Sequence, residues 1–266
     1  MNATLLVIDP QNDFCDIQGA ALPVPGAKAD LQRLVSLIAR ASQSLSDIVI
    51  TLDTHATVSI ERTTFWKQAD ETPVAVFTEI TEQAVRDGQY APRAASRLPE
   101  VLAYLHALEA RGRYRLMVWP VHCVLGTWGH NIHGPLAKEA AAWEERNQRS
   151  ALKVLKGLNP MTEQYSAVRA EVPRLDDMRT LTNDVLVARA RPSDGVLLVA
   201  GEASSHCVAA TLTDLLETMT SEERSRVIIL RDCMSPVPGF EAAAEAFFAR
   251  AAAQGVRLST SAEVFS

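Results

Sequence analysis

The sequence lacks the features that mark membrane, nucleic-acid-binding and disulfide-stabilised proteins. It has no run of about 18 apolar residues that would span a bilayer. Its 26 basic residues are spread thinly along a chain of formal net charge -6, without the basic stripe that a phosphate backbone attracts. Its 4 cysteines lie far apart with no CxxC pair, which argues against a disulfide framework and a cysteine-rich zinc site. We therefore expect no membrane or nucleic-acid partner.

The chain also lacks internal repeats, low-complexity tracts and any Pro/Gly linker long enough to divide two domains. It enters TLLVIDP without a basic n-region and cleavage site, which predicts a cytoplasmic protein. With 266 residues, 47% of them hydrophobic, we predict one domain, 1–266, with a sizeable core. Insertions are expected near 60–100 and near 138–150, the second as an exposed helical or loop excursion.

What the sequence does contain is a series of short apolar runs that lack polar alternation, as in strands covered on both faces. These runs are TLLVI (4–8), DIVITL (47–52), YRLMVW (114–119), GVLLVAG (195–201), RVIIL (226–230) and VRLSTS (256–261). Helical patterns lie between them, most clearly at 29–45, 207–219 and 239–255. Strands alternating with helices predict an α/β fold around a mainly parallel, doubly wound sheet.

Ligands of an open parallel sheet bind beyond the carboxyl ends of its strands. Acids, histidines, a lysine and a thiol follow the predicted strands: Asp9, Asp53, His55, His122, Lys156, Cys207 and Asp232. Packing prefers none of these residue types, so we interpret them as candidates for a functional site.

The first candidate group is Asp9, Lys156 and Cys207. Cys207 opens an apolar helix, whose positive end favours a thiolate, and the Gly, Ala and Ser residues before it form a tight turn suited to an oxyanion. A carboxylate that accepts the thiol proton and a lysine beside it would complete an acyl-transfer site. Structural roles remain open for each residue alone: a turn, a surface charge and a small buried hydrophobe.

The second candidate group is Asp53, His55 and His122. Asp53 and His55 are two residues apart at a strand end, so an extended backbone places them on one face. One carboxylate and two imidazoles suit zinc, iron or manganese, with positions left for water or substrate. The alternative is a capping aspartate, an exposed histidine and a core histidine.

Five motifs, in order along the chain, resemble those of the nicotinamidase-related branch of the isochorismatase-like cysteine hydrolases. The motifs are IDPQNDF (8–14), LDTH (52–55), WPVHCVLGTWG (119–129), LKGLNPMTEQYSAV (155–168) and GEASSHCVAAT (201–211). The resemblance implies a three-layer α/β/α sandwich with insertions. It also implies a Cys207/Asp9/Lys156 triad, and one divalent metal ion, zinc before iron or manganese, held by Asp53, His55 and His122, with no organic cofactor.

The resemblance implies further details of the site. Lys156 is preferred to Lys153 because it directly precedes Gly157, as in the lysine-glycine motif of the family. A cis peptide is expected at Glu202–Ala203, with an oxyanion hole from the N–H groups of Ala203 and Cys207. Phe14, Trp66 and Tyr165 are expected to line the substrate pocket, and a homo-oligomer is expected.

The implied activity is hydrolysis of a small carboxamide through a thioester, with nicotinamide as the first candidate substrate. Three alternatives stay open: another small amide such as a heteroaromatic carboxamide, hydroxamate or N-carbamoyl compound; a metal- or ligand-binding relative without turnover; and a thiol redox protein that uses Cys123 and Cys207. Cys123, the neighbour of His122, is expected to turn into the core because adjacent residues of an extended chain face opposite sides.

Overall fold

The computed structural model describes residues 2–192 and 194–265. Its strands are β1 (Ala3–Ile8), β2 (Leu45–Asp53), β3 (Trp66–Gln68), β4 (Thr78–Ile80), β5 (Tyr90–Pro92), β6 (Leu116–Val118), β7 (Leu152–Lys156), β8 (Val196–Gly201), β9 (Val227–Leu230) and β10 (Arg257–Ser259). Its α-helices are α1 (Ala27–Ala41), α2 (Glu82–Arg86), α3 (Leu98–Ala110), α4 (Gly134–Asn147), α5 (Asp184–Ala190), α6 (Cys207–Glu217), α7 (Ser221–Ser225) and α8 (Glu241–Ala253). Single 3-10 turns lie at 12–14, 95–97, 178–180 and 231–233.

Six parallel strands form the central sheet in the order β10-β9-β8-β1-β2-β7. The chain adds β2 and β7 on one side of β1 and then returns to add β8, β9 and β10 on the other side. The register pairs Ile8 with Gly201 and Asp53 with Lys156, so the carboxyl ends of β1, β2, β7 and β8 meet at one edge. The reversal of strand order beside β1 makes this edge the place where such sheets bind ligands.

Helices cover both faces of the sheet. Alternate residues of β1 point to opposite faces, so Leu6 and Ile8 pack with α5, α6 and α8, whereas Leu5 and Val7 pack with α1 and α4. The predicted three-layer α/β/α architecture is confirmed. Within the described residues, no helix combines the length and apolar character needed to cross a bilayer.

One predicted strand lies outside the central sheet. The run YRLMVW contains β6, but β6 pairs antiparallel with β4 instead of joining the parallel strands, and β7 occupies the sheet edge beside β2. An apolar run indicates a buried strand without identifying its partner. The 60–100 segment supplies β3, β4, β5 and α2, which pack with α3 around a third apolar cluster.

The 138–150 segment is largely helical, one of the two forms we expected, but it is not exposed on all sides. It lies mostly in α4, whose Leu136, Ala140 and Trp143 are buried with α1 against the sheet. Alanine is small enough to be buried wherever two helices approach closely. The alanine-rich stretch before Trp143 therefore gives no clear apolar pattern from which its burial could be predicted.

Candidate active site

Asp9, Lys156 and Cys207 meet at the carboxyl edge of the sheet. Asp9 follows β1, Lys156 ends β7 and Cys207 begins α6 directly after the turn that leaves β8. Lys156 Nζ lies 3.1 Å from Asp9 Oδ2 and 3.5 Å from Cys207 Sγ. Thr51 Oγ1 donates a hydrogen bond of 2.5 Å to the other oxygen of Asp9. By contrast Lys153 is exposed and forms an ion pair with Glu144.

The surroundings of Cys207 favour the neutral thiol over the thiolate. Burial raises the pKa of the thiol well above its usual value; Lys156 opposes the shift and Asp9 adds to it. Burial also raises the pKa of Asp9, against the opposing charge of Lys156. Desolvation of a buried anion thus outweighs the helix end that we expected to favour a resting thiolate. Asp9 lies close enough to the thiol to raise its pKa, so a thiolate can form by proton transfer to the Asp9 carboxylate.

The turn before Cys207 presents two backbone donors. The Glu202–Ala203 peptide is cis, as predicted, and the turn ends where α6 begins at Cys207. Among residues 2–192 and 194–265, no protein acceptor is bonded to the N–H of Ala203 or of Cys207. Two unengaged donors beside a thiol are suited to an oxyanion.

Asp53, His55 and His122 form the second cluster. Asp53 Oδ2 lies 2.8 Å from His55 Nε2 and 3.2 Å from His122 Nε2. Gln11 holds the backbone of Asp53 in place: its side chain accepts from Asp53 N at 2.7 Å and donates to Asp53 O at 2.8 Å. Lys156 Nζ also lies 2.7 Å from Asp53 Oδ1, so one ammonium group joins the two clusters.

Glu61 and Arg62 extend the second cluster, and the sequence analysis missed both. Glu61 Oε1 lies 3.0 Å from His55 Nδ1 and 3.1 Å from Arg62 Nε, yet neither Glu61 oxygen receives a well-directed hydrogen bond from the described residues. The Arg62 guanidinium contacts His122 and donates to Pro120 O at 2.7 Å. Two imidazoles and one aspartate fit a divalent ion such as zinc, and Glu61, at the opposite ring nitrogen of His55, would orient that imidazole.

The pKa values of the two histidines shift in opposite directions. Burial and Arg62 lower the pKa of both, but for His55 the carboxylates of Asp53 and Glu61 outweigh them and raise its pKa to about 9. For His122 burial and Arg62 prevail, and its pKa falls to about 4. Metals bind the neutral imidazole. His122 can therefore bind a metal directly at neutral pH, whereas His55 must first release a proton.

Cys123 lies closer to the second cluster than expected. Its sulfur is within 4.8 Å of ligand atoms of Asp53 and His122, but Cys123 is fully buried and does not line the cavity. Burial, followed by the charges of Asp53 and Asp13, raises the pKa of its thiol well above the usual value. Cys123 and Cys207 are both free thiols.

A cavity of about 430 Å³, including its mouth, opens beside both clusters. Cys207, Lys156, Asp53, His55 and His122 line it, together with Ala203. Its aromatic walls are Phe14, Trp119, Tyr165 and His206.

Trp66 does not line this cavity, contrary to our expectation. It is fully buried in the cluster of the 60–100 segment, where its indole N–H donates to Ile60 O at 2.6 Å. Trp119 lines the cavity instead of Trp66, and its indole N–H donates to Tyr165 Oη at 3.0 Å. The sequence feature that could have identified Trp119 as a cavity wall is its position in the WPVH motif, three residues before His122.

Gly157 is required by close approach to the second cluster. Its φ is +78°, and a Cβ there would lie 2.8 Å from His55 Cε1 and 3.2 Å from Asp53 Oδ1. A side chain would therefore push directly on two candidate metal ligands. The lysine-glycine pair thus places Lys156 in the site and leaves room for its neighbours.

Solved structures similar to this chain are nicotinamidases, pyrazinamidases and isochorismatase-like hydrolases. The yeast nicotinamidase bound to the inhibitor nicotinaldehyde has a TM-score of 0.67 at 19% identity, over 97% of this chain and 99% of that one. The Acinetobacter baumanii nicotinamidase/pyrazinamidase has a TM-score of 0.66 at 21% identity, over 99% and 98%. The Pyrococcus horikoshii pyrazinamidase in complex with zinc has a TM-score of 0.57 at 19% identity, over 98% and 99%.

No protein-family model and no curated protein matches the sequence significantly. The structural likeness extends over nearly the whole chain at low identity, so it establishes the architecture. The chain has the isochorismatase-like α/β/α fold that these nicotinamidases and pyrazinamidases share.

Proposed function

We propose that this protein is a metal-assisted cysteine amidohydrolase that cleaves a small carboxamide, with nicotinamide as the first candidate substrate. The observation that carries the proposal is a buried Cys207, Lys156 and Asp9 cluster that adjoins the Asp53, His55 and His122 cluster beside one aromatic-walled cavity. A binding protein has no need of a thiol joined to a carboxylate and an ammonium group. The nicotinamidases and pyrazinamidases of the same fold support the choice of substrate.

The first half-reaction forms a thioester. Asp9 accepts the proton of Cys207 as the sulfur attacks the carboxamide carbon, and the N–H groups of Ala203 and Cys207 hold the oxyanion that develops. Asp9 then gives the proton to the departing nitrogen as the C–N bond breaks, which releases ammonia. Hydrolysis of the thioester by water yields the carboxylic acid and returns the proton to sulfur.

Lys156 keeps the proton transfer within the site favourable. Its ammonium group contacts both Asp9 and Cys207, so negative charge is compensated whether it resides on oxygen or on sulfur. Asp53, His55 and His122 would hold the divalent ion, and the chemistry that the ion supplies when bound is to orient a ring nitrogen or a water molecule. Positioning of this kind contributes several kcal/mol, up to about 7–11 in well-oriented systems.

Ammonia release from a panel of amides tests the proposal. We expect turnover of nicotinamide or pyrazinamide, weaker turnover of benzamide, which lacks the ring nitrogen, and loss of activity after chelation with recovery on adding zinc. Nicotinaldehyde, whose carbonyl accepts a thiol, should inhibit. Absence of ammonia from every carboxamide, hydroxamate and N-carbamoyl compound by the metal-loaded protein would contradict the proposal.

A further inference from the structure

A buried acidic cluster lies behind the nucleophile turn, outside the cavity. Glu202, in the turn itself, is fully buried, and Asp30 of α1 is 5% exposed. Neither residue lines the cavity, and the proposed reaction uses neither. A buried carboxyl group without a chemical role is costly, so the contacts of this pair indicate what it does.

Ser235 joins the two carboxyl groups. Its backbone N–H donates to Glu202 Oε2 at 3.2 Å, and its hydroxyl donates to Asp30 Oδ2 at 2.6 Å. Its carbonyl in turn accepts from the N–H of Ser204, in the nucleophile turn, at 2.9 Å. A Cβ at position 26 would lie 2.6 Å from the Ser235 hydroxyl, so Gly26, with φ of +100°, leaves the space in which Ser235 sits.

The charges around the pair favour one shared proton. Burial, followed by the charge of Asp30, raises the pKa of Glu202 well above its usual value. Burial also raises the pKa of Asp30, although the hydroxyl of Ser235 and the guanidinium of Arg33, whose Nη1 lies 2.9 Å from Asp30 Oδ1, oppose this shift. Two further acids, Asp16 and Asp232, face the pair and disfavour a second negative charge. One proton on Glu202 relieves the repulsion between the two buried carboxyl groups.

We infer that Glu202 is a positioning residue: its carboxyl group accepts from the backbone N–H of Ser235, whose hydroxyl donates to Asp30, and it thereby ties the nucleophile turn to the loop after β9 and, through Ser235, to α1. The consequence for chemistry rests on the proposed function, because the peptide that follows Glu202 carries the N–H of Ala203. A displacement of catalytic groups by about 1 Å can lower a rate by about 100-fold. Glu202 thus acts on the reaction through the turn and does not touch the substrate.

Three variants separate this role from simple packing. Glu202→Gln stays neutral and keeps an oxygen that accepts from Ser235, Glu202→Leu keeps the volume without an acceptor, and Glu217→Leu removes an exposed carboxylate from the same helix that begins at Cys207. We expect Glu202→Gln to retain kcat within about threefold. We expect Glu202→Leu to lose about tenfold or more in kcat with little change in KM, because the substrate pocket is intact. Glu217→Leu should match the wild type.

The pH dependence of unfolding tests the shared proton without reference to activity. The folded protein holds a proton on Glu202 that the unfolded chain loses near the ordinary glutamate pKa, so the wild type loses stability relative to Glu202→Gln as pH rises above that value. The unfolding constants of the two proteins should diverge by up to about tenfold per pH unit. Denaturant titrations from pH 5 to pH 9 measure this, and parallel curves would overturn the inference.

Alkylation of Cys207 by iodoacetamide, followed by mass spectrometry, tests the turn itself. Cys207 is 7% exposed in the braced turn, so Glu202→Leu should react about tenfold faster and Glu202→Gln should react like the wild type. Equal rates in Glu202→Leu and Glu217→Leu would overturn the positioning role.

If the wild type released no ammonia from any amide, the proposed function would fail, whereas the unfolding and alkylation series would still decide the role of Glu202. If Glu202→Leu did not fold, the pH series of Glu202→Gln would decide it.

Discussion

Lys156 is the residue on which both clusters of the site depend. Its ammonium group lies 3.1 Å from Asp9 Oδ2 and 2.7 Å from Asp53 Oδ1, and its side chain is 1% exposed. Removal of this cation leaves two buried carboxylates without their counter-charge. Breaking a buried ion pair in this way costs about 3–5 kcal/mol.

We therefore predict that Lys156→Met lowers the free energy of unfolding by about 3–5 kcal/mol and lowers kcat by roughly 100-fold or more. Lys153→Met is the matched control, because Lys153 lies on the same strand with an exposed ion pair to Glu144, which contributes about 1 kcal/mol or less. Urea denaturation and ammonia release measure the two effects. Equal behaviour of the two variants would contradict the bridging role of Lys156.

Gly157 offers a test of the candidate metal ligands that is independent of activity. Gly157→Ala places a methyl group against His55 and Asp53, and we predict a loss of roughly 10–100-fold in zinc affinity, as expected when supporting geometry around a metal site is disturbed. Gly112→Ala is the control: its φ is also positive, at +64°, but the space around its Cβ is open. Competition with a chromogenic chelator measures affinity, and unchanged binding by Gly157→Ala would place the metal elsewhere.

At the scale of elements, α4 tests whether the segment near 138–150 belongs to the core. The Trp143 side chain is fully buried, and its indole N–H donates to Leu45 O at the start of β2 at 3.3 Å. We predict that Trp143→Ala lowers the free energy of unfolding by about 3–5 kcal/mol. Glu145→Ala, at an exposed position of the same helix, should change it by less than about 0.5 kcal/mol. A small effect of Trp143→Ala would mean that α4 does not pack as described.

A second element-scale test uses Glu171, a buried acid beside Arg113, which also forms an ion pair with Asp214 of α6. Burial and then Asp214, against the opposing charge of Arg113, raise the pKa of Glu171 to about 7. The folded protein therefore keeps a proton that the unfolded chain loses at lower pH, and stability falls as pH rises from about 4.5 to about 7.

We predict that Glu171→Gln, which cannot ionise, gains stability relative to the wild type across this pH window, by about 3 kcal/mol at its upper end. The difference should become constant about one pH unit above this pKa, where Glu171 is ionised in both states. Thermal and urea unfolding at several pH values measure it. A difference that does not change with pH would show that Glu171 titrates normally in the folded protein.

At the scale of the whole molecule, most of the fold could be predicted from the amino-acid sequence. Buried parallel strands read as continuous apolar runs, and β1, β2, β8, β9 and β10 were found in this way. The partner of β6 was not predictable, because its antiparallel pairing with β4 depends on contacts between distant segments. The burial of α4 was not predicted either, because the alanines next to Trp143 contribute little to the apolar periodicity of the helix.

The positions of the site residues could be predicted because strand ends converge at one edge of a parallel sheet. Asp9, Lys156 and Cys207 converge there as expected. Glu61 and Arg62 could not be predicted, because they lie in a loop and do not directly follow a strand of the parallel sheet. The exchange of Trp66 for Trp119 in the cavity wall likewise depends on the tertiary path of the 60–100 segment.

The central claim is that Cys207 is the nucleophile of an amidohydrolase, and the most direct measurement compares two thiols. Cys207→Ala should abolish ammonia release from the preferred carboxamide while the zinc content and the free energy of unfolding stay close to the wild type. Cys123→Ala should keep the thioester chemistry, because its thiol does not line the cavity. Substantial turnover by Cys207→Ala, or loss of turnover in a folded, zinc-loaded Cys123→Ala alone, would contradict the account.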